Sequence, residues 1–128
     1  MTKKRILLVD DEVSFTQVLK ANLEEAGPYS VRVENAGARA LDVARAFQPD
    51  LIFLDLIMPD LDGAEVARQI QADPQLKRIP IIFLTAAISR EEAEARGSMI
   101  GGQTFMAKPV TVADVIACLE RYLGPASP

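Results

Sequence analysis

Three carboxylates close apolar runs in this chain: Asp10 and Asp11 end Ile6-Leu7-Leu8-Val9, and Asp55 ends Leu51-Ile52-Phe53-Leu54. Acids gathered at one edge of a sheet repel by roughly 4 kcal/mol per pair at about 4 Å and an effective dielectric of about 20, so the cluster calls for a cation. An oxygen-rich site with few protein ligands suits Mg²⁺. Thr85 closes a third run, Ile81-Ile82-Phe83-Leu84, and Lys108 follows Thr104-Phe105-Met106-Ala107. A hydroxyl donor and a fixed positive charge beside those acids would complete a metal-assisted phosphoryl site.

Taken singly, most of these residues have plainer uses. Asp11 suits the N-cap of a first helix, Asp10 a turn, Thr85 another N-cap and Lys108 a surface position. Asp55 fits such a use least, because no helix begins after it. It lies between Leu54 and Leu56-Ile57-Met58, where a carboxylate is costly unless paired or metal-bound. None of these uses explains why all five residues fall at one rim.

The elements that must hold them are legible in the patterning. Apolar runs alternate with amphipathic stretches five times, the pattern of an α/β domain whose parallel sheet is covered by helices on both faces. Runs ending at Val9, Leu54 and Leu84 are continuously apolar, as central strands should be. Val31-Arg32-Val33-Glu34 alternates and Thr104-Phe105-Met106-Ala107 is mixed, which places these two at the edges. Ligands of open α/β sheets bind at the carboxyl ends of the strands, where the acids, Thr85 and Lys108 lie. A first helix is predicted from about Glu12 to Ala26, with Phe15, Val18, Leu19, Leu23 and Ala26 on one face and Gly27-Pro28 as its stop. Ala40, Leu41, Ala44 and Phe47 mark a second helix, and Ala64, Ala67 and Ile70 a third. A fourth stretch, Ser89 to Arg96, alternates charges with alanines and offers little to anchor it, which suits a loosely held signalling face. The last helix carries Val112, Val115, Ile116, Leu119 and Leu123, capped by Thr111 and stopped by Gly124-Pro125.

Length and composition exclude several classes. At 128 residues the chain is one domain by length, long enough to bury about two-thirds of the surface its unfolded form exposes. No apolar run approaches the roughly 18 residues that cross a bilayer, and the basic start Met1-Thr2-Lys3-Lys4-Arg5 leads into a run too short for a signal peptide. A cytoplasmic protein without membrane contact is the expectation. The sole cysteine, Cys118, excludes an internal disulfide and reads as a buried thiol. Histidine is absent, which removes Ser-His-Asp and Cys-His catalysis and any role as phosphohistidine donor. The net charge of −4 argues against direct nucleic-acid binding and for protein partners.

The motifs resemble the receiver domain of two-component response regulators, of the chemotaxis-regulator type, over about Lys4 to Leu123. They are Leu8-Val9-Asp10-Asp11-Glu12, Asp55-Leu56-Ile57-Met58-Pro59-Asp60-Leu61-Asp62-Gly63, Leu84-Thr85-Ala86 and Phe105-Met106-Ala107-Lys108-Pro109. That resemblance implies a doubly wound, flavodoxin-like (βα)5 fold with a five-stranded parallel sheet in the order 2-1-3-4-5. It makes residues 1–123 a receiver and 124–128 a tail or the start of a linker. It further makes Asp55 the acceptor of a phosphoryl group from a sensor histidine kinase. By the same resemblance Asp11, Asp55 and the backbone carbonyl of Ile57 ligate Mg²⁺, with Asp10 acting largely through water. Lys108 and Thr85 bind the phosphoryl group, small Ala86 leaves it accessible, and Lys108-Pro109 is cis. Phe105 turns inward as the switch, carrying the signal to the surface of the fourth and fifth helices and the last strand, where a homodimer could also form. Phe105 stands where tyrosine is frequent, so coupling is expected through ring packing alone. Ile57 and Ala87, which flank the phosphoryl group in this family, are apolar and cannot position a hydrolytic water, which predicts a long-lived phosphoryl group.

Three other functions compete. A haloacid-dehalogenase-like phosphatase also uses an aspartyl nucleophile after its first strand, yet the chain is short for one and Asp55 would be left without a role. A flavodoxin-like flavin binder needs a hydroxyl- and glycine-rich phosphate loop, where Asp10-Asp11-Glu12 would repel phosphate. A receiver-like module that no longer takes phosphate is opposed by the intact set of five residues. As a receiver the chain is a signalling domain, not an enzyme, and works through an effector protein or an output domain. The nearness of Met1 to the first strand favours an N-terminal receiver over the C-terminal receiver of a hybrid kinase.

Overall fold

A computed structural model describes residues 3–86, 89, 91, 99–100 and 103–125. In chain order the elements are β1 (Lys4–Val9), α1 (Val13–Ala26), β2 (Tyr29–Glu34), a 3-10 turn (Gly37–Arg39), α2 (Ala40–Phe47), β3 (Leu51–Asp55), α3 (Gly63–Ala72), β4 (Ile81–Thr85), β5 (Met99–Ile100), β6 (Gln103–Ala107) and α4 (Val112–Leu123). The expected stretch from Ser89 to Arg96 lies, apart from Ser89 and Glu91, outside the described residues, as does Ala87.

The sheet runs β2-β1-β3-β4-β6-β5. Five strands pair in parallel in the order 2-1-3-4-5 expected for the long strands. The sixth, β5, is two residues long and pairs antiparallel with β6, Met99 against Thr104 and Ile100 against Gln103. β6 is therefore not a bare edge, a correction to the sequence reading. Only Gly101 and Gly102 separate β5 from β6 in sequence, a pair suited to reversing a chain between strands.

Alternation along the central strands sorts the core into two layers. Leu7, Val9, Ile52, Leu54 and Phe83 face α2 and α3, where Val43, Ala44, Val66 and Ile70 cover them. Ile6, Leu8, Leu51, Phe53, Ile82 and Leu84 face the other way, against Leu19 and Leu23 of α1 and Val115, Cys118 and Leu119 of α4. Both faces are dry because each strand residue points to one layer or the other. On α1 the buried stripe is Thr16, Leu19 and Leu23, whereas Val18 and Ala26 are exposed. Val18 falls to the side of the stripe at helical pitch, and Ala26 ends the helix. On α3, Gly63 and Val66 are buried and Ala64 is exposed.

Helix ends follow local chemistry. Thr111 Oγ1 accepts from Asp114 N at 3.0 Å and Asp114 Oδ2 accepts from Thr111 N at 3.1 Å, a reciprocal capping box on α4. At the other end of α4, Lys4 Nζ donates to the carbonyls of Leu123 and Gly124 at 2.6 and 3.0 Å, a cation at the negative pole of the helix. Along the outer side of β2, Glu24 Oε2 of α1 accepts from Val31 N at 2.9 Å.

Candidate functional site

The parallel register carries the ends of β1, β3, β4 and β6 to one rim. Asp10, 1% exposed, follows β1 and is set in a tight turn, its Oδ1 accepting from Glu12 N at 2.9 Å. Asp55, 6% exposed, ends β3, and Ile57 N approaches its Oδ1 at 3.5 Å. Asp10, Asp11 and Asp55 each offer an oxygen within 4.8 Å of the others. Buried Thr85 ends β4, pairs with Ala107, and its carbonyl accepts from Lys108 N at 2.9 Å. Lys108 Nζ lies 2.7 Å from Asp10 Oδ2, 2.8 Å from Glu12 Oε1 and 3.8 Å from Asp55 Oδ2. The Lys108–Pro109 peptide is cis. Asp11, Asp55, Thr85 and Lys108 thus converge around an open pocket of about 440 Å³, lined also by Glu12, Ile57 and Ala86, and Asp10 is buried behind it against Asp11, Asp55 and Lys108.

Three carboxylates meet one ammonium here, with Asp11 beside them, and the electrostatics reflect it. Burial is the main cause that pushes the Asp55 pKa up to about 6, and the Asp10 charge adds to it against the opposing pull of Lys108. Burial also opposes the charge on Lys108, but Asp10 and Glu12 outweigh it and hold the ammonium above its ordinary pKa. Asp10 Oδ2 is buried and, among the described residues, takes no well-formed hydrogen bond, with Lys108 beside it as an ion-pair partner. A buried oxygen in that state, converging with two other carboxylates, fits a hard divalent cation. Asp10, Asp11 and Asp55 could supply its ligands, with the Ile57 carbonyl on the adjoining loop.

Several neighbours were not singled out as functional. Glu12 ends the acidic run and holds Lys108, while the Phe15 ring lies 4.9 Å from Lys108 Nζ, a cation–π contact. Their part could be found only by knowing that residue 108 returns to the first helix. Gly63 N donates to Leu56 O at 2.8 Å, drawing the loop after β3 shut beneath Asp55. Its place in the motif was visible, its reason was not. Phe105, on the layer facing α2 and α3, is half-buried and stacks on Phe83 with ring centroids 5.1 Å apart.

Comparison with known proteins agrees with this geometry. The family model for the response regulator receiver domain matches residues 6–120. The polar-differentiation response regulator DivK of Brucella ovis is 35% identical over 127 residues, covering 98% of this chain and 100% of that protein. The same regulator of Brucella anthropi is 33% identical over 96% and 98%. Among solved structures, the chemotaxis protein CheY4 of Vibrio cholerae superposes with a TM-score of 0.80 at 30% identity, over 95% of this chain and 100% of that one. The receiver domain of a Pseudomonas aeruginosa sensor histidine kinase, with a magnesium ion coordinated in its active site cleft, gives 0.79 at 30% identity over 97% and 100%. With a matched motif set, a 2-1-3-4-5 parallel sheet and an acidic rim at its carboxyl end, the chain belongs to the response regulator receiver domain family.

Proposed function

We propose that Asp55 is the phosphoacceptor of this receiver and that a sensor histidine kinase is its donor. The observation that carries this reading is the convergence at one rim of buried Asp55, the acid pair and Lys108, with Asp11, Asp55 and Lys108 lining a pocket there. An Asp55 oxygen attacks the phosphorus of a phosphohistidine, an O–P bond forms, the N–P bond breaks, and the imidazole leaves with its electron pair. Without metal, burial and the Asp10 charge raise the Asp55 pKa to about 6, and a divalent cation beside it would favour the ionised, attacking form. Mg²⁺, held by Asp11, Asp55 and the Ile57 carbonyl with Asp10 acting largely through water, would neutralise charge on the transferring oxygens. Lys108 pairs with the phosphoryl group, Thr85 donates a hydrogen bond to one of its oxygens, and small Ala86 leaves it room. Drawing the loop after β4 inward gives Phe105 space to pack more deeply, which links the pocket to the surface around β6 and α4.

In this reading residues 1–123 are the receiver and 124–128 a tail or the start of a linker. The domain promotes only its own phosphorylation and dephosphorylation. It works in the cytoplasm through an effector protein or an output domain, with neither nucleic acid nor membrane as a direct partner. A homodimer would use the fourth helical stretch, β6 and α4. No helix among the described residues is long and apolar enough to cross a membrane.

The test is intact-mass spectrometry after incubation with a small phosphodonor and Mg²⁺, with oligomeric state followed in parallel. Wild type should gain one phosphoryl group and Asp55→Asn none. A folded wild type that gains nothing would point instead to a phosphorylation-independent interaction module, and turnover of a phosphate monoester to a phosphatase. Ile57 is 66% exposed at the pocket mouth and has no polar atom on its side chain to hold an attacking water. The wild-type label is therefore expected to persist, and Ile57→Asn to shorten its half-life several-fold when the same mass is followed over time.

A further inference from the structure

The connection between β2 and α2 places no side chain in the pocket, yet it grips both turns that carry the acids. Asn35 Nδ2 donates to the Asp10 carbonyl at 2.7 Å and to the Thr16 hydroxyl at 3.0 Å. A carbonyl can only accept, so the amide orientation is set by its partner. The Asp10 N–H donates to the Glu34 carbonyl at 3.1 Å, so the peptide groups on both sides of the Asp10 side chain are anchored to residues 34 and 35. Thr16 is fully buried and passes the connection into α1 by donating to Val13 O at 2.9 Å.

Two residues further on, the same segment takes hold of the other turn. The N–H groups of Gly37 and Ala38 donate to the Asp60 carboxylate at 3.2 and 2.9 Å. Asp60 belongs to the loop that follows Asp55 and contains Ile57. Gly37 permits the close approach, since a Cβ there would stand 3.0 Å from the Leu61 carbonyl oxygen and 3.0 Å from Met58 Cε. The segment is stiffened internally, because Glu34 Oε2 accepts from Ala36 N at 2.9 Å.

We propose that residues 35–38 are a brace that sets the separation of the Asp10-Asp11 turn from the Asp55-Ile57 turn, with Asn35 and Asp60 as positioning residues for divalent-cation binding. The inference rests on reading the acidic cluster as a Mg²⁺ site. Like charges push the two turns apart, whereas Mg²⁺ accepts ligands only in a narrow range of distances and angles. Cation affinity is therefore sensitive to what holds the turns together. The Asn35 and Asp60 grips act in series through one short segment, so losing either side chain loosens the brace even though the Asp10 N–H bond to the Glu34 carbonyl stays.

Amide chemical-shift titration with MgCl2 tests this, run on the full chain beside thermal unfolding of each variant. Asn35→Ala and Asp60→Ala should each weaken Mg²⁺ binding by about 10-fold, the scale seen when groups that orient metal ligands are removed. The double variant should be no weaker than the singles, and Asp60→Asn, which keeps one acceptor oxygen but turns an NH2 toward the second N–H, should fall between wild type and Asp60→Ala. Asp62→Ala removes the cap of α3 in the same loop, where Asp62 Oδ1 accepts from Ala64 N at 3.1 Å. It should lower the melting temperature while leaving Mg²⁺ affinity as in wild type. Folded alanine variants that bind Mg²⁺ within about two-fold of wild type would overturn the brace, as would losses that multiply in the double variant or an equal loss in Asp62→Ala. Should the alanine variants not fold, a folded Asp60→Asn that binds Mg²⁺ more weakly than wild type supports the brace, and one with wild-type affinity overturns it. A wild type showing no Mg²⁺-dependent shifts would remove the metal reading itself, a failure distinct from normal wild-type binding with insensitive variants.

Discussion

Asp55→Asn is expected to stabilise the metal-free protein at neutral pH by on the order of 2–3 kcal/mol while ending phosphoryl uptake. Burial and the Asp10 charge raise the Asp55 pKa from 3.8 to about 6, so the folded state holds this proton more tightly than the unfolded chain. The folded state is favoured most below the unfolded pKa. Stability then falls as the solution is raised through the interval from about 4 to about 6, and above it the full penalty remains. Asparagine has nearly the same shape, carries no charge to desolvate, and leaves Lys108 paired with Asp10 and Glu12. Urea unfolding in EDTA across this range should show the variant and wild type converging in acid and separating toward neutrality. Saturating Mg²⁺ should narrow the gap, because a ligand bound only by the folded state stabilises it. Equal stabilities at neutral pH in EDTA would contradict the expectation.

Gly63→Ala is expected to cost at least about 3 kcal/mol, beyond the usual range for overpacking, and to impair phosphoryl uptake in whatever fraction folds. A Cβ at Gly63 would stand 2.2 Å from the Asp55 carbonyl oxygen and 2.8 Å from Leu56 Cα. Both are backbone atoms at the end of a central strand, so no side chain can swing aside to make room. Relief requires α3 to back away or the end of β3 to shift, and either movement breaks the 2.8 Å bond from Gly63 N to Leu56 O. Denaturant unfolding gives the cost directly, and an unchanged midpoint would show that the loop absorbs the methyl group.

The parts of the site visible in the sequence share a physical origin. In a parallel sheet the end of every apolar run is the same rim, so Val9, Leu54 and Leu84 delivered Asp10, Asp11, Asp55 and Thr85 to one place before any contact was known. Thr111 and Gly124 were readable because capping depends on residues three or four positions away. The two-residue strand β5 is too short to show a period. Val18 looked like core because a valine at helical spacing carries no mark of which side the sheet lies on. Glu12 and Phe15 around Lys108, and Asn35 and Asp60 across their turns, join residues from 22 to 96 positions apart. Polar contacts of that span have no local pattern, and only the wound sheet brings them together.

The guarded N–H of Val31 has a consequence for how molecules meet. A strand arriving to extend the sheet along β2 would find its first acceptor's place already taken by the Glu24 carboxylate. The bond to Val31, with Lys20 beside it, keeps the Glu24 pKa below its ordinary value, so the blocking group is a charged carboxylate throughout the neutral range. A charged side chain bonded to an edge N–H is one of the devices by which sheets resist edge-to-edge pairing.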